Sequence, residues 1–189
     1  MTSPDRTALP AGAVDELGRR VARSITLEPD GRGLRVALAC SRFNGGITVR
    51  LAEGALAGAA ECGIDPSDVT VAWTPGAFEL PLLARGFATG GAVDAVVCLG
   101  AVIRGETGHY DLVAGQCAAG IQQVQLETGV PVAFGVLTTD DVDQALARSE
   151  PDRSNKGREA LLTAVEMVQL LRATRPLLAE GGARRPSER

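Results

Sequence analysis

Apolar residues in this chain change their period several times, and each change marks an element. The run at 34–40, LRVALAC, is almost continuously apolar, as a strand covered on both faces requires. Ile47, Leu51, Ala55 and Ala59 then recur at every fourth position. That spacing predicts a helix over 47–63, ended by Gly63 just past its last turn. Asp65-Pro66-Ser67 forms a turn before a second strand at 68–73. A second helix is predicted over 79–89, closed by Gly90-Gly91, and DAVVCLGAVI at 94–103 reads as a third, fully buried strand. The pattern continues with a helix over 110–128 closed by Gly129, a strand at 132–137, a short helix at 142–148 and a long helix at 156–174.

The ends are less regular. Residues 11–24 can form a short amphipathic helix, Ile25-Thr26-Leu27 a short strand, and 28–33 a turn-rich boundary. From about Glu180 the chain reads as a disordered tail. The expected organisation is an N-terminal extension at 1–33, one domain at 34–175 and a flexible tail at 176–189. Strands alternating with helices predict a parallel sheet covered on both faces, a three-layer α/β sandwich. Right-handed crossovers leave a four-stranded, flavodoxin-like order, 2-1-3-4, as the economical topology. Ligands in such sheets sit beyond the carboxyl ends of the strands, so the loops after Cys40, Trp73, Ile103 and Leu137 are the places to look.

Composition narrows the classes. The chain has 189 residues, 45% of them hydrophobic and 22% charged, which permits one packed domain and excludes global disorder. A net charge of −4 argues against a general nucleic-acid or membrane-surface binder. Aromatics make up 3%, too few for a platform on which a long single strand would stack. No apolar run is long enough for a transmembrane helix, and the first residues lack the apolar stretch of a signal peptide, so a cytoplasmic protein is expected. Four cysteines without a CxxC spacing, and a single histidine, point to buried reduced thiols rather than a metal site.

The four loops carry the candidate chemistry. Ser41-Arg42-Phe43-Asn44-Gly45-Gly46 puts an aromatic ring where the chain leaves the sheet. That ring can plug a helix end or stack on a flat ligand. In Thr74-Pro75-Gly76-Ala77-Phe78-Glu79, Pro75-Gly76 forces a turn and Glu79 stands at a helix start. Its carboxylate either compensates the helix dipole or accepts hydrogen bonds from hydroxyls. The third loop, Arg104-Gly105-Glu106-Thr107-Gly108-His109, brings two glycines, a hydroxyl and the sole histidine to a helix start. Such a start offers backbone N–H groups to an anion, and a histidine there can transfer protons near neutral pH. Arg104 is either solvated or an ion-pair partner. Thr138-Thr139-Asp140-Asp141 caps the short helix. Arg148 and Lys156 lie near helix ends, where they serve the dipole and solvent or recognise phosphate.

Read together, SRFNGGIT, TPGAFELP, LGAVIRGETGHYD, LETGVPVAFGVLTTD and Arg148 followed by NKG occur in an order that closely resembles the 6,7-dimethyl-8-ribityllumazine synthase family. The resemblance covers about residues 34–172. It implies condensation of 5-amino-6-(ribitylamino)uracil with 3,4-dihydroxy-2-butanone 4-phosphate, with loss of phosphate and water and with no metal or organic cofactor. By the same resemblance Phe43 stacks on the pyrimidine; Ala77, Phe78 and Glu79 bind the ribityl chain; and the backbone of Ala101, Val102 and Ile103 reads the uracil edge. Glu106 and Thr107 match the phosphate-binding pair, and His109 matches the proton-transfer histidine. Phe134, Arg148 and Lys156 match groups donated by a neighbouring subunit, with Arg148 on the phosphate. Members of the family are pentamers, some building icosahedral shells, and a riboflavin synthase is an implied partner.

Three departures from the family pattern stand out. Gly108 replaces the usual Pro and loosens the loop that aims His109, at a cost of a few tenths to about 1 kcal/mol. Tyr110 replaces Phe and adds a hydroxyl, and 149–153 puts two acids and a Pro near the expected phosphate side. These leave two alternatives: a paralogue that condenses the same diaminouracil with another carbonyl compound, and a catalytically weak shell protein that binds ribityl ligands. The helix over 110–128, with Ala114, Cys117, Ala118 and Ile121 on one stripe, either covers its own sheet or meets a neighbour. The spacing from Arg148 to NKG has the family's common length, which the resemblance associates with a closed shell. The strand expected at 25–27 would pair with an adjacent subunit's sheet edge.

Overall fold

The computed structural model describes residues 12–181. Its strands are β1 (Val36–Ser41), β2 (Val69–Thr74), β3 (Ala95–Ile103) and β4 (Val132–Thr139). Its helices are α1 (Ala13–Gly18), α2 (Gly45–Glu61), α3 (Leu80–Thr89), α4 (His109–Thr128), α5 (Val142–Ala147) and α6 (Lys156–Gly181). All strand pairs are parallel, in the order β2-β1-β3-β4. The flavodoxin-like three-layer sandwich expected from the alternation is the observed fold.

Burial follows from position in the sheet. The continuously apolar β1 is buried throughout and β3 nearly so, and each has a strand on both sides. The edge strands β2 and β4 are only partly covered. Alternation of side chains then builds two cores. Val36, Leu38 and Cys40 pack with Leu51 and Ala55 of α2 and Leu161 and Val165 of α6. Ala37 and Ala39 face the other way, onto Leu80 and Ala84 of α3 and Cys117 and Ile121 of α4. Fully buried leucines such as Leu38, Leu51 and Leu161 each contribute roughly 1.5–3 kcal/mol of transfer free energy. The order reverses between β1 and β3, so a crevice opens beyond their carboxyl ends.

Differences from expectation lie at the ends. The helix expected over 11–24 is confined to α1, which buries none of its residues, and so short a helix without packing has little to hold it. Among the described residues Ile25-Thr26-Leu27 has no strand pairing and is irregular, because a strand needs a neighbour and none of these residues offers one there. The turn that follows is docked: Asp30 N–H donates to Gln169 Oε1 at 3.2 Å, Gln169 Nε2 donates to Asp30 O at 2.8 Å, and Gly31 N–H donates to Cys62 O at 2.7 Å. At the other end α6 continues through Pro176 to Gly181, beyond the expected stop at Thr174. Residues 1–11 of the expected extension and 182–189 of the expected tail lie outside the described residues. Cys40, Cys62, Cys98 and Cys117 are buried free thiols. No helix among the described residues is long and apolar enough to cross a membrane.

Candidate active site

Two loops are laced together at the carboxyl ends of β1 and β2. Arg42 N–H donates to Thr74 O at 2.9 Å and Phe43 N–H to Pro75 O at 3.2 Å, while the Thr74 hydroxyl donates to Gly76 O at 2.8 Å. Asn44, in the left-handed region at φ 57°, sends Nδ2 to Ala101 O at 2.9 Å and joins the β1 loop to β3. The backbone around Phe43 is therefore fixed from two sides. Phe43 as a residue stays 70% exposed, as an apolar group facing a ligand space rather than a core does.

The β2 loop closes into a 3₁₀ turn at Ala77–Glu79 that leads directly into α3. Ala77 is buried, Phe78 and Glu79 are exposed, and the Glu79 side chain makes no cap hydrogen bond to α3. A β-carbon at Gly76 would lie 3.1 Å from Glu79 Oε2, so the glycine leaves room for that carboxylate. The β3 loop ends at Gly108, and α4 starts on His109, whose N–H donates to Thr107 Oγ1 at 3.4 Å. Phe43, Ala77, Phe78, Glu79, Thr107 and His109 line one cavity of about 450 Å³, together with the β3 end Ala101-Val102-Ile103. This is a mostly apolar cleft with a few convergent polar groups, of a size suited to a small organic molecule.

Not every expected residue joins it. Glu106 is exposed on the β3 loop but is not on the cavity wall. Phe134, Arg148 and Lys156 line a second cavity of about 380 Å³ between β4 and α6. There Arg148 Nη1 donates to Gln144 O at 3.0 Å, Lys156 Nζ pairs with Glu159 Oε2 at 2.6 Å, and Phe134 is 42% exposed. The acids of 149–153 turn away from that cavity. Glu150 pairs with Arg50 of α2 at 3.4 Å, and Asp152 accepts from the N–H and hydroxyl of Ser154 at 2.7 Å.

Some partners were absent from the sequence reading. Glu159 stands three residues after Lys156 and Gln144 four before Arg148, helical spacings that could have signalled both pairs. Tyr110 lines the first cavity, and its ring lies under the Arg104 guanidinium at 4.0 Å. Arg104 also pairs with Asp140 at 3.0 Å and Asp111 at 3.4 Å, which settles it as an ion-pair partner. Asp140 is 36 residues away, and no local pattern announces it. Among the described residues no group of three or more His, Cys, Asp and Glu is placed to hold a metal ion.

A reversed parallel sheet with a polar-tipped apolar cleft at its switch point defines an α/β protein that handles a small molecule beyond its strand ends. Comparison with known proteins narrows the class. The family model for 6,7-dimethyl-8-ribityllumazine synthase matches residues 33–172. The 6,7-dimethyl-8-ribityllumazine synthase of Thermus thermophilus is 53% identical over 150 residues, spanning 78% of this chain and 96% of that protein. The same-named protein of Protochlamydia amoebophila is 53% identical over 136 residues, 72% of this chain and 79% of its own. That of Edwardsiella ictaluri is 51% identical over 140 residues, 74% of this chain and 90% of its own. This chain belongs to the 6,7-dimethyl-8-ribityllumazine synthase family.

Proposed function

We propose that this chain is a transferase of riboflavin biosynthesis. It condenses 5-amino-6-(ribitylamino)uracil with 3,4-dihydroxy-2-butanone 4-phosphate to give 6,7-dimethyl-8-ribityllumazine, phosphate and water. The observation that carries the reading is the meeting of Phe43, Glu79 and His109 on one cavity, in a chain of this family. Phe43 stacks on the pyrimidine, and the β3 end at Ala101, Val102 and Ile103 reads its polar edge. Ala77, Phe78 and Glu79 hold the ribityl chain, with the unpaired Glu79 carboxylate accepting from its hydroxyls.

The chemistry asks the protein mainly for alignment. The arylamine nitrogen attacks the ketone carbon, and loss of water gives an imine. Departure of phosphate gives an enol that becomes a ketone. The ribitylamino nitrogen then attacks that ketone, and a second loss of water closes the ring. His109 carries protons between nitrogen, carbon and oxygen. Thr107 and Glu106, on the β3 loop, and Arg148 attend the phosphate as it leaves.

Phe134, Arg148 and Lys156 line a cavity apart from His109 within one chain, which supports a site completed by the neighbouring subunit. The assembly is then a homopentamer, with a shell of pentamers as its higher form. The chain at 25–27 pairs with a neighbour's sheet edge, the product passes to a riboflavin synthase partner, and four buried free thiols suit the cytoplasm. The organisation is an extension at 1–33 and a catalytic domain that starts at 34 and keeps α6 through Gly181.

Incubation of the full chain with both substrates, followed by lumazine absorbance, tests the activity. Turnover is expected, and His109→Ala slows it by about 10²-fold, toward the low end for general acid–base groups because the substrates are themselves reactive. Tight lumazine binding without turnover would instead mark a binding paralogue. Co-expression of His109→Ala with Arg148→Ala tests the shared site. Mixed assemblies recover about a quarter of wild-type activity if each site draws on two subunits, and only the residual rates of the two single variants if it does not.

A further inference from the structure

We infer that Arg104 is a positioning residue for His109, acting through a clamp made with Tyr110, Asp111 and Asp140. The inference rests on the proposed role of His109. It begins from how little else holds the loop. A β-carbon at Gly105 or Gly108 would meet nothing within 4 Å, so neither glycine is packed against a neighbour. Gly108 sits at φ −66°, a conformation open to any residue, and so contributes freedom without using it. The backbone N–H of His109 reaches the Thr107 hydroxyl only at 3.4 Å. The segment that aims the imidazole is thus open on the β-carbon side of both glycines, and its local hydrogen bonds, this one and Asp111 N–H to Gly108 O at 3.2 Å, are long.

Arg104 supplies what the loop lacks. Its backbone N–H donates to Thr139 O at 2.9 Å, which anchors the loop's first residue to β4. The guanidinium then folds back across the loop. Cζ lies over the Tyr110 ring, 4.0 Å from its centroid, Nε donates to Asp140 Oδ1 at 3.0 Å, and Nη1 donates to Asp111 Oδ1 at 3.4 Å. One side chain therefore ties the end of β3, the first turn of α4 and the end of β4. Tyr110 and Asp111 directly follow His109 in that turn, and the Tyr110 body also packs against the α3–α4 core. Fixing the residues at 110 and 111 fixes the direction of the bond that carries the imidazole. The task suits arginine, whose planar fork can bond two carboxylates and stack in the same pose, and lysine cannot replace it.

The single histidine makes a direct test possible. The full-length chain, labelled with ¹³C and ¹⁵N only at histidine, gives imidazole signals from His109 alone. Magic-angle-spinning spectra can be recorded whatever the particle size. Wild type and Tyr110→Phe, which keeps the ring, should give one narrow set. Arg104→Gln, Arg104→Lys and Tyr110→Leu should broaden or split it. In turnover, Arg104→Gln should lower kcat about tenfold, with KM for both substrates within about twofold, and should lower it no further in a His109→Ala background. An imidazole spectrum unchanged in Arg104→Gln, or an equal loss of rate with and without His109, overturns the inference. If Arg104→Gln does not fold, Tyr110→Phe against Tyr110→Leu makes the same decision. If wild type does not turn over, the functional reading fails, and the imidazole spectra still judge the clamp.

Discussion

The carboxamide of Asn155 occupies the space that a β-carbon on Gly54 would need. From that seat it holds two segments together. Its Oδ1 accepts from Gly157 N–H at 2.9 Å and Arg158 N–H at 3.3 Å, capping α6, while Nδ2 donates to Arg50 O of α2 and to Glu150 O. Gly157 in turn lies so close to the Leu51 carbonyl that no side chain fits. Asn155-Lys156-Gly157 is thus one device: the first residue caps and crosslinks, the third allows contact with α2, and Lys156 between them is delivered to the β4–α6 cavity.

Asn155→Ala removes a buried cap and leaves two carbonyls and two N–H groups short of a partner. Equilibrium denaturation should show a loss of about 2–4 kcal/mol. Gly54→Ala should destabilise by about 1–3 kcal/mol through overpacking. Wild-type midpoints in both variants would mean that the α2–α6 contact relaxes freely and that this account of the motif is wrong.

Among the described residues the Arg148 side chain has one hydrogen bond, to a backbone carbonyl, which leaves most of its guanidinium for an anion. Arg148→Gln should lower kcat/KM for the phosphorylated substrate about ten- to a hundredfold, the scale of a lost charged hydrogen bond. KM for the pyrimidine should stay within about twofold of wild type. Equal effects on both substrates would detach Arg148 from the phosphate.

Burial pushes the Cys40 thiol up to about 12 and that of Cys117 to about 11, and raises those of Cys98 and Cys62 as well. A thiol-specific chromogenic reagent at pH 8 should therefore find native protein unreactive and should count four thiols after unfolding. The same shifts set a sign for stability. The unfolded thiols ionise near their ordinary value of 9.0 while the folded ones stay neutral, so stability falls as pH rises from about 9 toward 12. A stability profile that is flat through that range would contradict the burial.

Gly108 has neither a positive φ nor a neighbour that a β-carbon would strike. Gly108→Ala should therefore raise stability by about 0.4–1 kcal/mol, through the entropy of the unfolded chain. Destabilisation by thermal melting would show that the loop takes up another conformation in the assembled protein.

Much of this architecture was written locally. The runs at 34–40 and 94–103 mark central strands because only a strand with neighbours on both sides can be apolar at every position. The four-residue spacing from Ile47 to Ala59 marks α2, and the loops between such elements already named Phe43, Glu79 and His109. Other relationships were beyond local reading. Arg104 meets Asp140 only because β3 and β4 lie side by side, and Glu150 meets Arg50, 100 residues away, only because the segment between α5 and α6 is held against α2. The division of the candidate residues between two cavities is likewise a property of the folded surface. Periodicity and turn chemistry act within a few residues, so the sequence by itself determined the elements, their order and the loops that carry reactive groups. Which distant side chains touch depends on how crossovers place strands and helices side by side, and that only the tertiary structure decided.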